Sequence, residues 1–100
     1  MSITRITEFQ SAKGKDEDLF KFLRSLIPFI TSSKGCISCD VLINSDSKDK
    51  FCVIEQWDSI DLHRRSVQSF PKEQMESAMS LFGAPPKGSY YKKYGAEQRN

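Results

Sequence analysis

Residues 50–57, with the sequence KFCVIEQW, form the segment that most narrows the choice of fold. Their side chains alternate between two faces, and β-branched and aromatic residues are frequent, so we predict a strand here. Neither face is cleanly polar, because Phe51 and Val53 lie on one and Ile54 lies on the other. Such a strand belongs in the centre of a sheet whose two faces are both covered. The fold must therefore provide a cover for each face.

The remaining patterns place strands and helices on both sides of this strand in the chain. In order, we predict a strand at 3–10, a helix at 16–33, strands at 36–44 and 50–57, helices at 60–70 and 72–82, and a strand at 89–95. Pro28 lies inside the first helix and predicts a bend or an early end there. The order is the split βαβ arrangement of an α+β, ferredoxin-like fold, with an antiparallel sheet and helices on one face.

Apolar residues at three- and four-residue steps predict which side of each helix packs on the sheet. The stripe of the first helix consists of Leu19, Phe22, Leu23, Leu26 and Ile30. The stripe of the second consists of Ile60, His63, Val67 and Phe70. We therefore expect the only histidine of the chain to face inward. In the third helix Met75 and Met79 share a stripe, where methionine usually fills a core. The buried face of the strand at 36–44 is expected to carry Ile37, Cys39, Val41 and Ile43.

A chain of 100 residues is long enough for one domain and too short for two. We expect that domain over residues 1–95, followed by a mobile tail over 96–100. One layer of helices leaves the apolar residues on the opposite face of the sheet in water. A symmetric homodimer is the simplest cover for that face.

Charge and hydropathy argue against several classes of partner. The net charge of +2 comes from 15 basic and 13 acidic side chains that are mixed along the chain, whereas a nucleic-acid binder concentrates lysine and arginine on one face. No apolar run approaches the roughly 18 residues needed to span a bilayer. The first ten residues, MSITRITEFQ, lack the apolar segment of a signal peptide. We therefore expect no nucleic acid and no membrane as partner, and a cytoplasmic location.

Three cysteines, Cys36, Cys39 and Cys52, form an odd set in a chain without an export signal, which favours free thiols. The segment CISC matches the CxxC pattern, but a redox pair needs its first cysteine at a helix N-terminus, and this one opens a predicted strand. A zinc site needs about four ligands, and only Cys52 and His63 remain for it. We therefore expect structural thiols and no metal.

Four segments together resemble the antibiotic biosynthesis monooxygenase (ABM) family: SAKGKDEDLFKFL, KGCISCDVLIN, DKFCVIEQWDSIDLH and GAPPKGSYYKKY. The most specific parts are the Gly-Cys pair at 35–36 and the Glu-x-Trp-x-Ser junction at 55–59, within a likeness that runs over about 3–95. The resemblance implies a dimeric α+β barrel, in which two sheets face each other and a pocket lies between each sheet and its own helices. Members include quinol monooxygenases that use O₂ without a cofactor, and relatives that bind or degrade haem.

The resemblance also implies roles for single residues. Polyketide-oxidising members have a pocket Trp where this chain has Trp57, an Asn where it has Val53, and a pocket Tyr where it has His63. Many other members have a His at the position of Ser66. A pocket Arg of the later helix has no clear counterpart here, since Lys72 is the only cationic residue in KEQMESAM. The Asn, Trp and His of the haem-degrading members are not matched.

An aromatic compound with an ionised hydroxyl group can itself donate electrons to O₂. The protein then needs an apolar pocket, a base and donors for the developing oxyanion, and no cofactor. His63 is the first candidate for the base, because imidazole titrates near neutrality. Glu55 is the second, because burial would raise the pKa of its carboxyl group. The candidates for substrate binding are Trp57, Phe51, Val53, Tyr90 and Tyr94.

Each candidate also has a structural interpretation. His63 could be a hydrogen-bonded core residue, Glu55 could pair with Arg5 across the sheet, and Trp57 could fill the core. Two functions therefore remain open: a cofactor-independent monooxygenase that oxidises a small aromatic, quinol or polyketide-like substrate with O₂, and a non-catalytic dimeric module that binds an aromatic or haem-like ligand. A third interpretation, a structural dimer with a filled core, would leave no cavity.

Overall fold

The computed structural model describes residues 2–94, so the predicted tail lies outside the described residues. In chain order the elements are β1 (Ile3–Gln10), α1 (Asp16–Thr31), β2 (Cys36–Ile43), β3 (Lys50–Trp57), α2 (Ile60–Ser69), α3 (Lys72–Ala78), a 3₁₀ turn (Met79–Leu81) and β4 (Lys87–Tyr91). The strands form one antiparallel sheet in the order β2-β3-β1-β4. The predicted α+β, ferredoxin-like fold is confirmed.

The register of the sheet decides which side chains share its helix-facing side. β3 is a central strand, as predicted, and pairs with both β1 and β2. Glu55 of β3 lies opposite Arg5 of β1. Arg5 in turn lies opposite Tyr90 of β4. Because residues opposite each other in a sheet point to the same face, these three side chains form a polar row across a face that is otherwise largely apolar.

α1 packs on the same face, next to the polar row. Leu19 and Leu23 of this helix are fully buried and form a core with Phe51 and Val53 of β3. Burial of a side chain of this size contributes about 1.5–3 kcal/mol. Partly buried apolar side chains surround this core: Phe9, Phe20, Phe22, Leu26, Cys39, Val41, Leu81 and Phe82. The core holds α1 firmly against the sheet.

Ser59 is the N-cap residue of α2 and lies two residues after the end of β3. Its side chain accepts a hydrogen bond from the backbone N–H of Leu62, which satisfies one of the free donors of the first turn. Gly35 has a φ of +90°, and a Cβ atom there would overlap the Leu62 side chain. The Gly35 carbonyl also accepts a 2.8 Å hydrogen bond from the backbone N–H of Asp58. These contacts fix the course of α2 across the sheet, with His63 one turn from its start.

The face predicted to be buried in β2 is buried only in part. Cys39 and Val41 pack on the core as predicted, but Ile37 and Ile43 are 57% and 53% exposed. A bulge shifts the register between Cys36 and Ser38, so Ile37 has no partner in β3. Ile43 is the last residue of a strand at the edge of the sheet. The prediction that these two isoleucines are buried is wrong.

The ends of other elements also differ from prediction, and the helix predicted at 72–82 is α-helical only to Ala78 and continues as the 3₁₀ turn. α1 continues through Pro28 and ends at Thr31, two residues before its predicted end. β4 spans Lys87–Tyr91 instead of 89–95. Its register explains the difference, because Tyr91 pairs with Thr4, near the start of β1, and residues beyond Tyr91 have almost no strand left to pair with.

Three residues of the predicted helical stripes face solvent, since Val67 is 58%, Met75 is 39% and Met79 is 61% exposed. Met79 begins the 3₁₀ turn, whose three-residue period rotates it away from the α-helical stripe. Val67 lies at a cavity instead of in a packed core. α2 instead buries His63 and Ser66. The inward direction predicted for His63 is confirmed, and the core positions predicted for Val67, Met75 and Met79 are wrong.

The face of the sheet opposite the helices carries apolar residues that remain accessible. Leu42 and Tyr91 are exposed there, and Ile6 and Ile54 are half-buried. The homodimer that would cover this face stays a prediction. In the described part of the chain, no helix is both long enough and apolar enough to cross a membrane.

Candidate active site

A cavity of about 340 Å³ lies between the sheet and the helices. Its walls are mainly apolar and include Leu26, Phe29, Ile30, Phe70, Met75 and Phe82. Arg5, Thr7 and Glu55 reach it from the sheet, and His63 and Ser66 reach it from α2. Apolar walls with a few convergent polar groups are typical of a small-molecule site. The cavity argues against a structural dimer whose core is filled.

Two contacts between α1 and α2 keep this cavity in place. The rings of Phe29 and Phe70 pack edge to face, with centroids 5.1 Å apart. The hydroxyl groups of Ser33 and Ser66 share a 2.8 Å hydrogen bond. These contacts join the two helices beside the cavity. Phe29 and Phe70 both line the cavity, so they offer aromatic surface to a ligand.

Glu55 and His63 are both buried at the polar end of the cavity, with 3.9 Å between Glu55 Oε1 and His63 Nε2. Trp57 Nε1 donates a 2.9 Å hydrogen bond to Glu55 Oε1, and Tyr90 Oη lies 2.7 Å from His63 Nδ1. The imidazole packs edge-on against the rings of Trp57 and Tyr90, with centroids 5.4 and 5.3 Å away. Because 3.9 Å is too long for a hydrogen bond, Glu55 and His63 do not satisfy each other directly.

Burial favours the uncharged form of both groups. Desolvation raises the pKa of Glu55, while the hydrogen bond from Trp57 and the charge of Arg5 act in the opposite direction. Desolvation lowers the pKa of His63 to about 4, and the charges of Arg5 and Arg64 contribute to this decrease. His63 is therefore neutral at pH 7, so it has one nitrogen that can accept a proton.

The direction of the hydrogen bond between Tyr90 and His63 differs between the two neutral tautomers of His63, and so does the nitrogen that can accept a proton. If Nδ1 carries the proton, it donates to Tyr90 Oη, and the lone pair of Nε2 is free to accept a proton near Glu55. If Nε2 carries the proton, it points towards Glu55, and Nδ1 accepts a hydrogen bond from Tyr90. Only the first tautomer makes His63 Nε2 a base at the polar end of the cavity.

Arg5 is a cavity residue that sequence reasoning considered only as a partner for Glu55. Its guanidinium lies over the ring of Tyr90, 4.6 Å from the centroid, and occupies the space that a Cβ atom of Gly88 would need. Its Nε is buried without a hydrogen-bond partner in the described structure. The sequence did contain a signal, because Arg5 is the one charged residue among the inward positions of β1, with Ile3, Thr7 and Phe9 as the others.

The structure brings some of the predicted site residues together and leaves others elsewhere. Glu55 and His63 line the cavity. Trp57 and Tyr90 contact them from behind, so they orient these groups. Phe51 and Val53 belong to the packed core with α1, and Tyr94 lies beyond β4 and is fully exposed. The structure therefore gives none of Phe51, Val53 and Tyr94 a place on this cavity.

The cysteines lie outside the cavity and are free. Burial raises the pKa of Cys36 and Cys52, and it raises the pKa of Cys39, which lies opposite Glu55, to about 12. All three are therefore thiols at neutral pH, a state that is unreactive and binds metal poorly. Within residues 2–94, no group of three or more His, Cys, Asp or Glu side chains could hold a metal ion.

Solved structures with the same fold cover almost the whole chain. Rv0793 from Mycobacterium tuberculosis is 16% identical, with a TM-score of 0.84 over 98% of this chain and 100% of its own. PA3566 from Pseudomonas aeruginosa is 22% identical, with a TM-score of 0.78 over 93% and 95% of the two chains. SnoaB from Streptomyces nogalater, a cofactor-independent oxygenase solved as a mutant, is 14% identical, with a TM-score of 0.78 over 96% and 98%. At these identities the likeness shows the fold alone.

The sequence itself provides the family. No curated protein matches the chain. The family model for antibiotic biosynthesis monooxygenases matches residues 2–79, which include the α1 core, the β3–α2 junction and both members of the Glu55–His63 pair. The resemblance carried by the Gly-Cys pair and the Glu-x-Trp-x-Ser junction is thereby confirmed, and the chain belongs to the antibiotic biosynthesis monooxygenase family.

Proposed function

We propose that this protein is a cofactor-independent monooxygenase that oxidises a small aromatic, quinol or polyketide-like substrate with O₂. The observation that carries the proposal is a buried carboxyl–imidazole pair, Glu55 and His63, at the polar end of an apolar cavity. Membership of the family supports it. A structural neighbour, SnoaB, is a cofactor-independent oxygenase, which supports it at the level of the fold.

The proposed reaction begins with removal of a proton from a phenolic hydroxyl group. The resulting anion donates electrons to O₂, and oxidation of a phenol to a quinone puts one oxygen atom into the new carbonyl group and the other into water. Four electrons leave the substrate and reduce O₂ completely, so no external reductant is required. The protein has to bind the ring, take the proton and stabilise the anion.

His63 is the proposed base, through Nε2, with Glu55 as the second candidate. In the tautomer that the proposal requires, His63 Nδ1–H donates a hydrogen bond to Tyr90 Oη, and the lone pair of Nε2 is free. Trp57 holds the Glu55 carboxyl group through its indole N–H. In this proposal Trp57 and Tyr90 are positioning residues, and the substrate ring lies against Phe29 and Phe70 of the cavity wall.

Oxygen uptake with a panel of naphthols and hydroquinones tests this proposal. We expect wild-type protein to consume O₂ above the rate of autoxidation, and we expect His63→Gln to lose that activity while it keeps the fold measured by circular dichroism. Tyr94→Phe is the matched control, because its side chain is fully exposed and does not line the cavity. Absence of turnover across the panel, or equal turnover by wild type and His63→Gln, would refute the assigned site.

A second candidate function is a non-catalytic module that binds an aromatic or haem-like ligand in the same cavity. The observation in its favour is the pKa of His63, because a group with a pKa of about 4 is a weak base at pH 7. Haem ligation would also require His63 to release the bond to Tyr90 or to turn Nε2 away from Glu55. Titration with micromolar haem tests the haem version of this candidate, since ligation shifts the Soret band and an unchanged band would remove that version.

A homodimer is part of the proposal, because the face of the sheet that carries Leu42 and Tyr91 is accessible in one chain. A second copy would bury these side chains against their equivalents around a two-fold axis. Light scattering is expected to give twice the 11.4 kDa of one chain, and the mass of a single chain at micromolar concentration would contradict the dimer.

A further inference from the structure

Arg5 is a half-buried cation that forms no ion pair with a carboxylate among the described residues. Its Nε is buried and makes no hydrogen bond in the described part of the chain. The one ion pair of an arginine within residues 2–94 is Arg65–Asp61, and the approach of His63 to Glu55 involves a neutral imidazole, so neither contact involves Arg5. Removing a guanidinium from water without compensation is costly, so a fold that keeps one in this position gains most when an anion arrives.

The position of Arg5 is specified by its neighbours. The Tyr90 ring supports the guanidinium from one side, and Gly88 leaves the space that the guanidinium occupies. Glu55 lies opposite Arg5 in the sheet, but its carboxyl group is engaged by the Trp57 indole and forms no ion pair with Arg5 in the described structure. The arginine is thus held at the cavity by packing, without an ion pair to neutralise it.

The charges around the cavity also favour an anion. Its cationic side chains are Arg5 at the sheet and Lys72 at the start of α3, and the only acidic side chain among its described lining residues is Glu55. Arg64 lies behind the site, with its guanidinium 5.7 Å from the centroid of the Tyr90 ring. The cavity therefore has an excess of positive charge even when Glu55 is ionised. A neutral aromatic compound would leave that excess unbalanced, and a carboxylate would balance it.

We propose that Arg5 is the anchor for a carboxylate group on the ligand, so that the cavity selects aromatic acids over neutral aromatic compounds of the same shape. A carboxylate is ionised at pH 7 and matches the planar donors of a guanidinium, whereas an ordinary phenol with a pKa near 10 is not ionised before it binds. With the carboxylate at Arg5, the ring lies along the apolar walls, and a hydroxyl group on that ring is close to the Glu55–His63 pair. The inference rests on the proposed use of this cavity for an aromatic substrate, but not on oxidation.

Calorimetric titration with a matched pair of ligands tests the anchor without turnover. The pair is 2-naphthoate and 2-naphthamide, which have the same ring and nearly the same shape and differ in charge. We expect wild-type protein to bind the carboxylate at least about tenfold more tightly than the amide, as is typical of a charge-assisted hydrogen bond. Equal affinities, or no binding of either ligand at millimolar concentration, would overturn the proposal.

Three variants show whether the preference comes from Arg5. Arg5→Gln should bind both ligands equally, and Lys72→Gln, which removes the exposed cation of the same cavity, should keep most of the preference. Gly88→Ala retains the arginine but forces it to move, so its preference should fall as well, and thermal unfolding establishes that each variant is folded. A preference that survives in Arg5→Gln, or that is lost equally in Lys72→Gln, would overturn the assignment.

The ligand titrations and the oxygen-uptake measurement can fail independently of each other. Oxygen uptake without a carboxylate preference would remove the Arg5 anchor and leave the oxygenase. A carboxylate preference that depends on Arg5, without oxygen uptake from any phenol or hydroxynaphthoate, would remove the oxygenase and support a binding module for aromatic acids.

Discussion

The two ends of β3 place the same face of one strand in opposite environments. At one end Phe51 and Val53 pack on Leu19 and Leu23, and the space between sheet and helix is filled. At the other end Glu55 and Trp57 lie beside His63 instead of beside apolar side chains, and a cavity remains. We call these the packed end and the polar end.

The difference between the ends indicates where the sequence serves function instead of stability. The packed end gains free energy from every buried group. The polar end places Glu55 and His63 in an environment that disfavours their charged forms, and it leaves Arg5 without an anionic partner among the described residues. Such groups cluster at active and binding sites, where they are stabilised by the rest of the fold. Substitutions at the two ends should therefore affect different properties.

The largest effect is expected on turnover, at the polar end. His63→Gln should lower kcat/KM by roughly 10²–10⁴-fold, the usual contribution of a positioned general base. Glutamine keeps a polar group beside Tyr90, so the loss reports the base and not a collapsed site. Val53→Ala at the packed end is the control for indirect damage, since it lies on the same face of β3 and should reduce stability far more than turnover. Similar losses of turnover in both variants would remove the distinction between the ends.

The next effect concerns stability, at the packed end. Leu23→Ala should lower the free energy of unfolding by about 2–5 kcal/mol, because it removes a fully buried side chain and leaves a void. Urea denaturation followed by circular dichroism measures this loss. At a temperature where the variant is still folded, its affinity for an aromatic ligand should be close to that of wild type. A loss below about 1 kcal/mol would mean that the packed end is looser than the structure indicates.

The packed end was largely predictable from sequence, and the polar end was not. Alternation located the strands at 3–10 and 50–57 without error, and helical spacing identified Leu19 and Leu23. These are local patterns with one period each. Helical spacing also predicted that His63 faces inward, although it could not tell whether the residue there met a filled core or a cavity.

The remainder of the site depends on distances between elements that no local pattern encodes. That the Trp57 indole turns back to Glu55 two residues earlier, instead of forming a cavity wall, follows from the course of α2 over the sheet. Arg5 becomes a cavity residue because Gly88 on another strand leaves room for it. These are consequences of tertiary packing between segments distant in sequence.

The pH dependence of stability is expected to separate the two buried groups of the polar end. The pKa of His63 is about 4 in the folded chain against 6.5 in the unfolded chain, so the unfolded chain takes up its proton first and stability falls as pH decreases from 6.5 to 4. The pKa of Glu55 is raised above 4.5 on folding, so the folded chain takes up its proton first and stability increases as pH falls through that pKa. In wild type the two slopes oppose each other.

Single substitutions should expose each slope between about pH 7 and pH 4, and for His63 the shift from 6.5 to about 4 corresponds to at most about 3 kcal/mol. Relative to wild type, Glu55→Gln should lose stability more steeply on acidification, and His63→Gln should lose it less. The other groups that face the pair are Arg5, Arg64 and Tyr90, together with the thiols of Cys36 and Cys39 beside Glu55. Urea unfolding at several pH values measures both slopes, and parallel profiles for the three proteins would show that neither group titrates differently in the folded chain.

The smallest expected effect distinguishes Tyr90 from Tyr94, which were both predicted from the sequence to bind substrate. Tyr90→Phe removes the hydroxyl group next to His63 Nδ1 and should lower stability by about 0.5–1.5 kcal/mol, the usual net value of one hydrogen bond. It should also move the pH profile of kcat/KM, because His63 loses the hydrogen-bond partner of Nδ1. Tyr94→Phe should change neither, since its side chain is fully exposed and surface substitutions stay within about 0.5 kcal/mol. A pH profile left unmoved in Tyr90→Phe would mean that Tyr90 only packs against His63 and does not orient it, and the assignment of Nε2 as the base would lose its structural support.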